Sequence, residues 1–467
     1  MDPNIYREIR GSMSRFDPIT HEWVEKCSGG SLTYAELKDI LSGYGLSIEN
    51  VVHDPDRQLQ HTYYADYEKA FYCFLHITRD YLESIGGNIL ADFSRSKTGN
   101  PYLKDKQWDA LYTMSIPMPM LIYDFQRRMR DIEPDKVFMV WYGIYKRIDY
   151  SNGMWTPEIL DYVFTHAPEM LKPKVDENGL VTLYRGMGKW SQPADKAISW
   201  STHPGNALWF ANRFGRGTHL AIADVAPKDI VAYFPEFVNE NEVLVRPNTV
   251  HNIRFADMLP AVEETFVKLT MPALLEFQYF GRQAKKFGYK KESVLQYHGI
   301  THILRVLLLS LIYYYNSGNM LTRDDKAILI YFSLLHDVGR ANEEKDDEHG
   351  SDSVDLIRTK HLRIKDLPLT KKEYRIAELI IRYHSQDDSE GITVIRSQSG
   401  FTQKDKERAE HLYRICKDMD GLDRVRFNGL DYRMLRTDFA KKLPLIAGCL
   451  VEEDVLTALN MPEERNT

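Results

Sequence analysis

The stretch Leu329-Ile-Tyr-Phe-Ser-Leu-Leu-His-Asp-Val-Gly-Arg340 constrains this chain most. It is an apolar helical run that stops abruptly at His336-Asp337. An imidazole and a carboxylate at the foot of a buried helix are costly unless something satisfies both. A divalent metal does so, because neutral histidine nitrogen and aspartate oxygen are ordinary ligands. The alternative is an exposed helix end, with His336 lying near the C-terminal dipole.

The flanking sequence bears on that choice. Upstream, Tyr297-His-Gly-Ile-Thr-His-Ile-Leu-Arg-Val306 places His298 and His302 four residues apart, on one face of a helix. Downstream come Glu348-His-Gly350, Ile380-Ile-Arg-Tyr-His-Ser385 and Asp418-Met-Asp-Gly-Leu-Asp423. Each lies in or beside a segment of helical period. The order His302, His336-Asp337, His349, His384, Asp420 resembles the HD phosphohydrolase superfamily. The H-x-x-R-V form matches at His302, Arg305 and Val306. Val-Gly-Arg follows the HD pair where the family usually has Ile-Gly-Lys. The resemblance implies an all-α domain over 285–460 and a divalent metal (Mn, Mg, Fe or Co). His302, His336, Asp337 and Asp420 would hold it, with Asp418 as runner-up to Asp420. His349 and His384 would bind a second ion or phosphate oxygens.

Composition sets broad bounds. With 43% hydrophobic and 27% charged residues over 467 positions, the chain has enough apolar material for two or three domains. A formal charge of −7, spread out, does not call for nucleic acid as a partner. The basic run within 283–291 reads as a solvated linker. Cys27, Cys73, Cys416 and Cys449 form no CxxC pair, which argues for a reducing compartment and against a zinc ribbon. The most apolar run, Val306–Tyr315, is too short to span a bilayer, so no membrane association is expected. The N-terminus carries no secretory signal pattern. The expected location is the cytoplasm, or a host cell reached through a signal-less secretion system.

Along the chain, 1–58 reads as an N-terminal extension with one short helical pattern over Thr33–Gly43. Residues 59–175 read as a helical lobe. Phe71, Phe74, Leu75, Ile77 and Leu82 recur at helical spacing, as do Leu121, Phe125 and Met129. Met114, Met118, Met120 and Met129 read as core filler. The period then changes. Leu180–Tyr184, Ala197–Trp200, His219–Asp224, Ile230–Phe234 and Glu242–Val245 read as strands, interrupted by one helix over Asn206–Phe214. The predicted fold class is α+β: a helical lobe, a small β-sandwich core over 176–275, then an all-α domain.

Three motifs fall in order on this β unit: Leu183-Tyr-Arg-Gly186, Ile198-Ser-Trp-Ser-Thr202 with Ala207–Phe214 behind it, and Asn239-Glu-Asn-Glu-Val-Leu-Val245. Singly, each is common in sheets without any activity. Together they look like the arginine–serine–glutamate class of ADP-ribosyltransferases. The resemblance implies NAD as cofactor, bound by Arg185, Ser199, Ser201 and Phe214. A guanidinium suits the NAD pyrophosphate. Glu242 would stabilise oxocarbenium character at the ribose, Ser199 would orient Glu242, and Glu240 would engage the acceptor. Glutamate at that position goes with arginine as acceptor in the family.

The pairing of the two domains resembles SidE-type bacterial effectors, in which ubiquitin is ADP-ribosylated and the pyrophosphate then cut. It implies a toxin-like transferase modifying a protein arginine, with ubiquitin as target by analogy alone. The HD domain would cleave the ADP-ribosyl pyrophosphate to leave phosphoribosyl, with His298 as general acid or merely a helix-face histidine bonded to a neighbour. Two alternatives stay open. The HD domain hydrolyses a free nucleotide independently, or it is a non-catalytic regulatory or docking module.

Overall fold

The computed structural model describes residues 16–55, 62–95, 99–148, 153–213, 216–235, 240–289, 298–318, 321–341, 346–452 and 455. The chain divides into two compact units, Met1–Met170 and Leu171–Thr467.

The first unit contains a four-stranded antiparallel sheet in the order β1-β2-β3-β4, formed by Asp17–Pro18, Val51–His53, Thr62–Asp66 and Phe71–Phe74. This corrects two expectations. Residues before 58 are no appendage, since they supply two of the strands. The 59–175 stretch is not helical throughout. Phe71, Phe74 and Leu75 do fit a helical period, but so short a run fits a strand as well. The aromatic and β-branched neighbours decide it: Tyr63 faces Val52 on one side and Phe74 on the other. Helices follow at Ile85–Arg95, Leu121–Arg128, Val137–Arg147 and Pro157–Thr165. Trp141 meets Trp155 and Phe164 edge-on in their core. Met120 and Met129 are buried there, whereas Met114 and Met118 are exposed and fill nothing.

Asp124 anchors this unit. It is fully buried and accepts from the Tyr72 and Tyr112 hydroxyls and from Nε and Nη2 of Arg128. Arg128 in turn donates to Tyr67 O at 2.7 Å and lies over the Tyr67 ring. Removing one partner of such a pair leaves an uncompensated buried charge. Asp124→Ala is therefore expected to destabilise this unit by about 3–5 kcal/mol. Denaturant unfolding checks it, and a loss below about 1 kcal/mol, the scale of one ordinary hydrogen bond, would refute the anchoring role.

The second unit begins with β5 (Val181–Gly188), β6 (Ser199–Ser201), β7 (Gly217–Val225), β8 (Ile230–Phe234), β9 (Glu242–Val245) and β10 (His251–Phe255). They form one antiparallel sheet in the order β10-β7-β5-β6-β9-β8, not the expected sandwich. The reason lies in what covers its two faces. Strand residues alternate between faces. Leu183, Ala221, Ala223 and Val243 cluster on one. Tyr184 and Leu220 join instead a core made with helices. The second layer is thus α1 (Pro204–Asn212) and the helical bundle behind it. Gly186 permits the closest approach, since a Cβ there would lie 1.9 Å from Ala207 O.

The bundle comprises α2 (Glu263–Ala284), α3 (Ile300–Asn316), α4 (Arg323–Leu335), α5 (His349–Thr359), α6 (Lys371–Tyr383), α7 (Asp388–Ser397), α8 (Gln403–Leu422) and α9 (Pro444–Glu452). Capping boxes at Thr322, Thr370 and Thr402 fix where α4, α6 and α8 start. From Ile303 to Tyr313 α3 is buried all round, as is α4 from Ala327 to Leu335, which marks both as central helices. Among the described residues no helix is long and apolar enough to cross a membrane.

Sheet and bundle meet without a gap. The boundary expected at 275 falls inside α2. A Cβ on Gly205 would lie 2.2 Å from Asn428 O, and one on Gly448 would lie 2.1 Å from Asn212 Nδ2. Leu259 N donates to Lys442 O at 2.8 Å, and Arg433 Nη1 donates to the Tyr184 hydroxyl at 2.8 Å.

Candidate functional site

Six side chains converge from the ends of five bundle helices. His302 lies in the first turn of α3, and His336-Asp337 directly follow α4. His349 opens α5, His384 follows α6, and Asp420 sits in the last turn of α8. Two glycines set the spacing. A Cβ on Gly339 would lie 2.4 Å from Ser353 N, and one on Gly350 would lie 2.4 Å from Ile381 O. These close approaches draw α5 against the HD turn and against α6, and His349 comes within reach of His384.

The hydrogen bonds fix the histidine tautomers. His302 Nδ1 lies 2.7 Å from Asp423 Oδ2, His336 Nδ1 3.2 Å from Phe332 O, and His384 Nδ1 2.7 Å from Ile381 O. His349 Nδ1 meets Asp346 O. For His302, His336 and His384 the partner is an acceptor, so Nδ1 carries the proton and Nε2 offers a lone pair; His349 Nδ1 also meets a donor, Arg340 Nη1, at 3.1 Å. Those lone pairs face one another. His302 Nε2 and His336 Nε2 are 3.2 Å apart, and His349 Nε2 and His384 Nε2 are 3.0 Å apart. Asp420 Oδ1 stands 3.3 Å from His302 Nε2 and 3.6 Å from His336 Nε2.

Asp337 joins the two pairs. Its Oδ2 lies 3.7 Å from His302 Nε2 and 3.8 Å from His336 Nε2, while Oδ1 lies 3.2 Å from His349 Nε2 and 3.5 Å from His384 Nε2. Oδ1 is buried with no hydrogen-bond donor. A cluster of acceptors around an orphaned carboxylate oxygen is unfavourable unless a cation sits among them. Two donors bound at about 2.1 Å to one ion at right angles are separated by about 3 Å, which is the spacing of both imidazole pairs. The residues therefore fit divalent metal, with His302, His336, Asp337 and Asp420 on one side and Asp337, His349 and His384 on the other. His302-His336-Asp420 and His336-Asp337-His384 each bring their ligand atoms within 4.8 Å of one another.

The electrostatics agree. Burial would raise the Asp337 and Asp420 carboxyls, but the surrounding imidazoles hold both well below the usual carboxylate range. Burial also opposes charge on His302, yet Asp420 and Asp423 outweigh it and raise that imidazole to about 9. His384 goes the other way, lowered by burial. The Asp420 side chain is 33% exposed, against 1% for His302 and 0% for His336, so the centre opens on the Asp420 side.

Neighbouring residues divide into structural groups and groups at the centre. Asp418 is fully buried and accepts from Arg436 N, Thr437 N and the Thr437 hydroxyl, so it pins the following loop and is no ligand. Arg305, next to His302 in the motif, donates from Nε to Asp423 Oδ1 at 2.6 Å and from Nη2 to Oδ2 at 3.1 Å. It is committed to Asp423. Arg340 Nη1 lies 3.1 Å from His349 Nδ1, beside the second pair. The His298 ring is 5.6 Å from that of His302, centroid to centroid. Sequence reading gave no role to Arg426, which also donates to Asp423 Oδ2; its position three residues after Asp423 was the available signal.

A second polar cluster lies on the sheet. Arg185 on β5 donates from Nη1 to Ser199 O at 2.6 Å, and the Ser199 hydroxyl donates to Glu242 Oε1 at 2.6 Å. β6 and β9 set this contact, with Ser199 opposite Leu244 and Ser201 opposite Glu242. Glu242 is buried. Glu240 lies outside β9, separated by Asn241 in the left-handed region at φ 50°, which asparagine tolerates. The Ser201 hydroxyl donates to Glu240 O at 2.8 Å and accepts from His203 N. Ser201 thus fixes the turn that carries Glu240. Phe214 lies outside the described residues.

Four imidazoles and two carboxylates gathered at helix ends form a centre suited to a divalent cation. Residues 299–425 match the family described as HD domain, and the chain carries an HD domain there. That match holds every one of the six gathered residues. No curated protein and no solved structure matches the chain.

Proposed function

We propose that the chain joins two catalytic centres: an NAD-dependent mono-ADP-ribosyltransferase on the sheet and a metal-dependent phosphodiesterase in the HD domain. The hydrogen bond from Ser199 to Glu242 carries the transferase reading. It holds a buried carboxylate by the group that the family resemblance assigns to that task, with Arg185 fixing the serine backbone from behind. In this reading Arg185 binds the NAD pyrophosphate and Glu242 faces the ribose. Glu240, held by its own turn, engages the acceptor arginine of a protein substrate; ubiquitin enters by analogy alone.

In the HD centre, divalent ions supply charge stabilisation at a phosphoryl oxygen and lower the pKa of water when bound. The chain's own groups do the rest. Four imidazoles and two carboxylates fix the ions, Arg340 lies beside the second pair to receive a phosphate oxygen, and His298 can give a proton to the departing phosphate. The proposed reaction takes ADP-ribosyl-protein and water to phosphoribosyl-protein and AMP, breaking one bridging P–O bond. The opening beside Asp420 supports a substrate attached to a macromolecule.

The test is mass spectrometry of an acceptor protein incubated with the enzyme and NAD, with and without chelator. The expected product is ADP-ribose on arginine when metal is removed, and phosphoribose plus free AMP when Mn2+ is restored. Release of intact ADP-ribose would make the HD domain an eraser. An unmodified acceptor, alongside turnover of a free nucleotide, would overturn the coupled reading.

A further inference from the structure

Asp423 is a heavily bonded carboxylate beside the metal centre, yet it is not among the residues gathered about the facing lone pairs. It is buried at 1% exposure and lies immediately after α8, three residues beyond Asp420. Its Oδ2 accepts from His302 Nδ1 at 2.7 Å. Arg305 grips it with Nε on Oδ1 and Nη2 on Oδ2, and Arg426 donates to Oδ2 as well. Arg426 also closes on the Asp423 backbone carbonyl at 2.9 Å.

We propose that Asp423 is a positioning residue for the metal: it fixes the Nδ1–H tautomer of His302 and aims the Nε2 lone pair at the ion, while Arg305 and Arg426 hold it in place. The inference rests on the metal reading of the same cluster. Its physical basis is that a ligating imidazole needs an acceptor on its other nitrogen to set tautomer and ring orientation. The two arginines add a second function. They supply only donors, so whatever stands at 423 must turn its acceptor oxygens toward them.

Asp423→Ala is the direct probe, since it removes the acceptor: nothing then holds the proton on His302 Nδ1, and the lone pair aimed at the ion is no longer fixed. Asp423→Asn is the conservative control. His302, Arg305 Nη2 and Arg426 all meet the same oxygen, Oδ2, so an amide oxygen placed there still accepts from His302 Nδ1 and keeps the tautomer.

The measurement is Mn2+ binding to the full chain by EPR titration, with long-range 15N–1H spectra of histidine-labelled, metal-free protein above pH 10, where the His302 imidazole, raised to about 9, is neutral. Wild type and Asp423→Asn should show Nδ1–H, and Asp423→Ala should show Nε2–H with Mn2+ affinity lowered about 10–100-fold. Added to His302→Ala, the Asp423→Ala substitution should lower affinity no further, because both act through one ligand. A folded Asp423→Ala chain with wild-type Mn2+ affinity and an Nδ1–H His302 would overturn the proposal, leaving Asp423 a purely structural ion pair. An Nε2–H tautomer in the wild-type chain would overturn it even if the variant fails to fold. Absence of any Mn2+ binding to wild type would instead defeat the metal reading itself.

Discussion

Asp337→Ala should empty both halves of the HD centre at once. Among the described residues, Asp337 is the one side chain whose two oxygens reach both imidazole pairs, Oδ2 toward His302 and His336, Oδ1 toward His349 and His384. Losing an outer-shell partner typically costs 10–100-fold in metal affinity, and losing a shared ligand should cost more, above about 100-fold for each ion. Phosphodiesterase activity should fall to the level of the chelated wild type. The apoprotein should nevertheless stay folded, because the apolar residues of α3 and α4 pack independently of the carboxylate. What should vanish is the rise in melting temperature on adding Mn2+. A ligand at 100 times its Kd stabilises by about 2.7 kcal/mol, and the variant should show none of this. Metal content by mass spectrometry and a pair of melts with and without Mn2+ check the prediction. Undiminished metal in the purified variant would sink the bridging assignment.

Glu242→Gln should lower NAD turnover by about 10²–10³-fold, the usual cost of removing one preorganised charge-stabilising group. The amide oxygen can still accept from the Ser199 hydroxyl, so the 2.6 Å contact and the fold should survive. In the proposed transferase reading, only the negative charge at the ribose is lost. Glu240→Gln forms the contrast. It should leave hydrolysis of NAD intact and abolish transfer to arginine, since Glu240 lies beyond the kink at Asn241 and is not held by Ser199. Nicotinamide release and acceptor labelling, measured side by side on the two variants, separate the roles. Full nicotinamide release by Glu242→Gln would remove the transferase assignment from this sheet.

The two parts of the chain were unequally legible. The HD ligands could be read because each stands at the end of an apolar helix, where an imidazole or carboxylate has no ordinary reason to be buried. Asp420 could be separated from Asp418 only in three dimensions, since both lie in the same helix and only the loop at Arg436–Thr437 shows that Asp418 is already satisfied. Arg305 could not be given its role for the same reason: its partner lies 118 residues away. On the sheet, five of six strands were visible as β-branched or aromatic runs. β10 was not, because all five of its residues are exposed and leave no inward-outward alternation to detect. In the first unit, Phe71 and Phe74 mimic a helical face while lying on an antiparallel strand. The single sheet in place of a sandwich could not have been foreseen from local pattern, since its second layer is α1 together with a helical bundle that lies wholly beyond the sheet in sequence.

That shared layer has a consequence for how such a chain can be inherited and taken apart. The seam at Gly205, Asn428, Asn212 and Gly448 is a contact in which backbone meets backbone or side chain with no room for one more methyl group. Tyr184, Leu208 and Leu220 complete an interior that the bundle shares with them. A bundle finished by its neighbour is not a cassette. Recombination that lifts residues 299–425 into another protein carries away the ligands but abandons part of the wall behind them. Excising the HD portion alone would expose the apolar wall it shares with Tyr184, Leu208 and Leu220.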